Sequence, residues 1–137
     1  MDSIIKKYNY KLETGTVGTD DDNIANVLYN INRLETKISA IPTDAQKLGE
    51  RLGEVFYMVS DALTHFLAFL ENGKIEENNA ALVSVRSAFQ SAVDVIEKAK
   101  ENESDTAKTA AAIPAVYKTL LGIVPSVLEL DAQVKGC

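Results

Sequence analysis

The stretch Leu48-Gly49-Glu50-Arg51-Leu52-Gly53-Glu54-Val55-Phe56-Tyr57-Met58-Val59-Ser60-Asp61-Ala62-Leu63-Thr64-His65-Phe66-Leu67-Ala68-Phe69-Leu70 decides the fold. Leu48, Leu52, Val55, Phe56, Val59, Leu63, Phe66, Leu67 and Leu70 recur in steps of three and four, which places them on one face of an α-helix. Upstream, Pro42 ends the preceding element. Thr43-Asp44-Ala45-Gln46 then has the form of a capping box, with the Thr hydroxyl and Gln amide satisfying free backbone N–H groups. Downstream, Asn72-Gly73 reads as a C-terminal stop. Ala62 to Leu70 is apolar nearly all round, which predicts that this half lies at the centre of the molecule.

The same spacing recurs on both sides. From about Asn23 to Ala40, Ile24, Val27, Leu28, Ile31, Leu34 and Ile38 form a narrow stripe. Asn26, Asn30, Arg33 and Lys37 occupy the opposite face, so a helix at the bundle's edge, or one packed on its neighbours along a coiled-coil-like seam, is expected. From about Glu77 to Lys100, Leu82, Val85, Phe89, Ala92, Val93, Ile96 and Ala99 face one way, backed by Ser84, Arg86, Ser87, Gln90 and Ser91. After a break in which Ser104 or Asp105 caps the next helix, Ile113, Val116, Tyr117, Leu120, Ile123, Val124, Val127 and Leu128 carry the pattern to about Val134. Short links make sequential helices antiparallel. The expected fold is all-α: an up-and-down four-helix bundle over 23–137, preceded by a short irregular N-terminal segment, 1–22.

The last helix carries Pro114 and Pro125 with Gly122 between them. An internal proline removes a backbone hydrogen bond and costs roughly 3 kcal/mol, so a kink or break is expected here. The preferred reading makes 105–112 a separate short helix, with Pro114 in the first turn of the next. The functional alternative is a mobile element hinged at Pro114, Gly122 and Pro125.

At 137 residues the chain is one domain with room for a core. An apolar fraction of 46% with 25% charged residues is that of a globular protein. A net charge of −6 argues against nucleic acid as a partner and disfavours anionic lipid. The single cysteine, Cys137, rules out an internal disulfide and is not in a prenylation box, so it reads as an inert exposed thiol. There is no secretory signal, and no run of about 18 apolar residues that would span a membrane. A cytoplasmic location follows by default.

Residues 1–22 interleave Ile4, Ile5, Tyr8, Tyr10 and Leu12 with Lys6, Lys7 and Lys11, followed by Gly15, Gly18 and Asp20-Asp21-Asp22. Tyr8, Tyr10 and Leu12 alternate as in a short strand. The three aspartates lack the spacing of a calcium loop and read as a helix start. Lys6, Lys7 and Lys11 are the candidate contacts for a membrane or a partner.

No catalytic, cofactor or metal site is expected. His65, the only histidine, shares a helix face with Asp61 and follows Met58, but neither a haem-attachment motif nor paired Glu-x-x-His is present. With one His in an apolar stretch and the Cys at the terminus, no nucleophile–base pair can be assembled. Glycines are scattered, without a phosphate-binding fingerprint.

Lys47-Leu48-x-x-Arg51-Leu52-x-x-Val55 is followed by Ala81-Leu82-x-x-Val85-x-x-Ala88-Phe89-x-x-Ala92-x-x-Val95-Ile96-Glu97-Lys98, and then by Leu128-x-Leu130-Asp131-x-Gln133. Over residues 24–133 this resembles the N-terminal four-helix bundles of the mixed-lineage-kinase-domain-like pseudokinases, the HeLo-type domains of fungi and the powdery-mildew-resistance-type domains of plants. The resemblance implies a cell-death or immune-signalling module that oligomerises and engages membranes. The chain departs from that family in its acidic charge and in its short, mixed N-terminal segment. The expected function is non-enzymatic interaction with a protein partner or self-association. The alternatives are a membrane-permeabilising bundle, or a carrier enclosing an apolar ligand among Phe56, Phe66, Phe69, Phe89 and Tyr117.

Overall fold

The computed structural model describes residues 20–73, 75–101 and 104–136. Five helical pieces follow in order: α1 (Asp20–Ile38), α2 (Ala45–Gly73), α3 (Ala80–Glu101), α4 (Thr106–Leu121) and α5 (Val124–Gly136). No strand occurs among the described residues. Helices α4 and α5 are two parts of one arm, so the architecture is an all-α up-and-down four-helix bundle. Helix α1 packs along α2, and α3 along α4 and α5. The two hairpins meet face to face, and α2 approaches α3 less closely than either approaches its own hairpin partner. The possible strand at residues 8–12, with Lys6, Lys7 and Lys11, lies outside the described residues, as does Cys137.

The helix starts follow local chemistry, with shifts from the expected positions. The cap of α2 is Asp44, not Thr43: the Lys47 N–H donates to Asp44 Oδ2 at 3.0 Å. Either side chain can serve, and the carboxylate adds a charge at the positive end of the helix. Asn79 caps α3, its Oδ1 accepting from the N–H groups of Ala81 (3.0 Å) and Leu82 (3.3 Å), so that helix begins three residues later than expected. Of the two candidates for α4, Asp105 is the cap and accepts from the Lys108 N–H. Helix α1 begins three residues earlier than expected, so Asp20-Asp21-Asp22 form its first turn instead of preceding it.

The turn from α1 to α2 places Ala40 at φ 50°, in the left-handed region that disfavours a Cβ. Arg51 secures it: its Nη1 donates to the carbonyls of Lys37 (2.8 Å) and Ser39 (3.4 Å), which have no helical partner. Nearby, the Lys37 ammonium bonds Glu54 and holds its carboxyl below the usual range.

The core runs through all the elements, and its largest side chains are Phe66, Phe69 and Phe89. Phe66 lies 6.4 Å from Phe69 and 5.8 Å from Phe89 between ring centroids, within the range of favourable aromatic pairs. Three of the five aromatic residues of the carrier alternative lie in this cluster. Of the two placements expected for α1, the seam is the one observed, since it packs along the length of α2. Ile24, Ala25, Val27, Leu28, Ile31 and Leu34 are all buried, and Asn30, on the face expected to meet solvent, is buried too. The reason is α2, which supplies polar partners to that face.

Candidate functional site

Three features of the bundle exceed what packing requires. The first is a polar ladder between α1 and α2. Asn30 is 1% exposed, and its Nδ2 donates to Asn26 O (3.0 Å), Asn26 Oδ1 (2.6 Å) and Asp61 Oδ2 (3.0 Å). Its Oδ1 is buried without a partner. Two turns up, His65 Nδ1 meets Asn23 Oδ1 at 3.0 Å, a contact that requires the proton on Nδ1. His65 Nε2 lies 3.7 Å from Asp61 Oδ1. The shared face of Asp61 and His65 expected from their spacing is thus present, and it looks across to α1. The ladder's members are amides, a carboxylate and an imidazole, with no hydroxyl or thiol among them. It ties α1 to α2 at two levels, Asn30 with Asp61 and Asn23 with His65.

The second feature is an apolar groove of about 270 Å³ between α2 and α3. Its floor is Phe66 and Phe89, and its walls are Leu63 and Leu67 on one side and Gln90 and Val93 on the other. Arg86 stands at one end. Leu67 is 50% exposed, and Leu63 and Leu70 are only half-buried. This corrects the expectation that Ala62–Leu70 lies centrally. A helix in a four-helix bundle has a single stripe to bury, whereas this segment is apolar on more than one. The surplus faces the groove, because α3 presents Arg86 and Gln90 there and does not close on it. Away from the groove, the Phe56 ring on α2 lies beneath Lys100 Nζ of α3 at 4.1 Å. Helical spacing puts Leu63, Phe66 and Leu67 on the apolar stripe and Arg86 and Gln90 on the polar back face, and the groove lies where the two meet. The all-round apolarity of 62–70 was the signal that one side would be left over.

The third feature is the α4–α5 arm. Pro114 lies inside α4, so 105–112 is not a separate helix. The interruption falls at Gly122 and Ile123. There the Gly122 N–H still reaches the Lys118 carbonyl (3.2 Å), but the Ile123 N–H shortens to the Leu120 carbonyl (3.1 Å). Pro125 explains the position. It has no N–H for the Leu121 carbonyl, and its ring would clash there. About three turns earlier in the arm, the same demand at Pro114 falls on Ala110 without ending the helix. Of the three hinge candidates, Gly122 and Pro125 bracket the interruption and Pro114 does not. Taken together, Thr106–Lys135 is long and apolar enough to cross a membrane by length and composition, and 39% of its most apolar stretch is buried. Counting only unbroken apolar runs hid this, because Thr, Ser, Gly and Pro divide the stretch while Lys118 is its one charge between Lys108 and Glu129.

Among the described residues, no three His, Cys, Asp or Glu side chains are placed to hold a metal ion. No protein-family model, curated protein or solved structure matches the chain.

Proposed function

We propose that the chain is a non-enzymatic interaction module that receives an amphipathic helix of a protein partner in the α2–α3 groove. One observation carries this reading: Leu67 and its neighbours form an apolar wall over a Phe66–Phe89 floor that the bundle leaves open. A groove between two helices that is already apolar and shaped is a common seat for a third helix, read through residues one turn apart. A partner helix buries Leu67, Leu63 and Val93 without rearranging the bundle. The cell-death or signalling role implied by the family resemblance is one setting for such a module.

The test is titration of a fluorescent, designed Leu-heptad helical peptide into the full chain. Binding in the micromolar range is expected, with Leu67→Asp weakening it about tenfold or more, as for a central apolar anchor. Because Leu67 is half-exposed, the thermal midpoint of that variant should stay close to the parent's. Peptide binding indifferent to Leu67→Asp, or no binding at about millimolar peptide, rejects the groove.

The α4–α5 arm favours a second reading, action on membranes, since its apolar length exceeds what the bundle buries. Here Gly122 and Pro125 are the hinge, and Lys6, Lys7 and Lys11 the lipid contacts. Flotation with anionic and neutral liposomes, with leakage of an entrapped dye, tests it. Binding with leakage supports this reading, and protein left at the bottom of the gradient rejects it.

A further inference from the structure

We infer that the resting occupant of the α2–α3 groove is the chain's own N-terminal segment, residues 4–12, which competes with an incoming partner helix. The inference rests on the reading of that groove as a docking site.

Reach permits it. The described chain begins at Asp20, and the Asn23–His65 contact fixes the start of α1 beside the level of α2 where Leu63 and Leu67 stand. The groove lies on the other flank of α2. Residues 13–19 extend to roughly 23–25 Å, against roughly 10–12 Å for the diameter of the helix they have to pass.

Chemistry favours it. Were the segment to dock as a helix in place of the short strand its alternation suggests, Ile4, Tyr8 and Leu12 would stand one turn apart, with Ile5 beside them, and match a groove walled by Leu63, Leu67 and Val93. Three of the 14 basic residues fall within 1–19 against two of the 20 acidic ones. The segment is therefore +1, and the remainder carries −7 of the total −6. Exposed acids stand one turn beyond the groove on both walls: Glu71 after Leu67, and Asp94 after Gln90, whose amide it accepts at 3.0 Å. Lys6, Lys7 and Lys11 meet these. Arg86, the base on the wall, has Asp2 and Glu13 at the two ends of the segment to face it.

The experiment places a photoreactive residue in the groove of the full chain (Leu67→p-benzoylphenylalanine) and irradiates an equal mixture of isotope-labelled and unlabelled protein. The expected product is a crosslink to residues 4–12 within one chain, lost when Ile4→Asp and Tyr8→Asp are added. A crosslink to a second copy, one to another part of the chain, or none overturns the inference. In parallel, the Leu-heptad peptide should bind the Ile4→Asp/Tyr8→Asp protein about tenfold or more tighter than the parent, because the groove is freed for a larger fraction of the time. Equal binding to the two proteins overturns the competition and leaves the groove a docking site. Failure to bind either removes the docking reading and the inference with it.

Discussion

Burying a side-chain amide between two helices is unfavourable unless its polar atoms find partners, and an orphaned group is worse than an apolar one. Asn30 meets that condition in part. Its Nδ2 is shared among three acceptors, while its Oδ1 has none. Its Nδ2 gives Asp61 a donor from across the helix pair, which leucine could not supply. Asn30→Ala should lower stability by about 1 kcal/mol, the net worth of an ordinary hydrogen bond, because Asp61 is 33% exposed and can turn to water. Urea and thermal unfolding measure this, and a change near zero would show that the ladder contributes nothing to the α1–α2 hairpin. Asn30 was read as part of a solvated face because a lone helix has no means of showing that its polar side has a polar neighbour.

At the scale of elements, the α4–α5 arm shows how position decides what a proline does. Pro114 and Pro125 each remove a donor, yet the helix continues through the first and stops just ahead of the second. Ahead of Pro125 lies Gly122, which sits at φ −64° and so is not required for a left-handed turn. Its weak helical propensity lets the chain tighten to a three-residue hydrogen bond instead. Pro125→Ala supplies an N–H to the Leu121 carbonyl and should carry the helix across 122–124. Helicity by circular dichroism should rise, and amide exchange of residues 122–126 should slow. Unchanged exchange there would move the cause of the break to Gly122. That the arm would be broken was legible from its two prolines and one glycine. Where it broke was not, since each proline had the same local claim.

Across the whole molecule, the helix ends are tied together as well as the faces. Gly73 closes α2, and a Cβ there would come within 2.9 Å of Val134 Cγ2 on α5. The helix ends at Gly73, as the Asn72-Gly73 stop predicts, and a Cβ at that glycine would press on α5. Asn79 adds a second tie at this end, its Nδ2 donating to Gln133 Oε1 at 2.7 Å. Gly73→Ala should destabilise by about 1 kcal/mol, the low end for overpacking, because improved helix propensity offsets part of the clash. Adding Val134→Ala should recover that loss in a double-mutant cycle. If the cycle shows no coupling, the ends of α2 and α5 do not press on each other.

The sequence alone determined that the chain is a bundle of long antiparallel helices. Steps of three and four recur over about a hundred residues, proline, glycine and acidic caps punctuate them, and the links are too short for other connections. These are local properties, and each is expressed within a few residues of its cause. Only the tertiary structure decided which apolar residues would be covered. The Phe66–Phe89 pair and the exposed wall at Leu67 belong to the same apolar run. Periodicity cannot separate them, because it records that a side chain prefers to leave water and not whether a neighbour arrives to cover it. The distance between α2 and α3 settles that, and it depends on every helix at once.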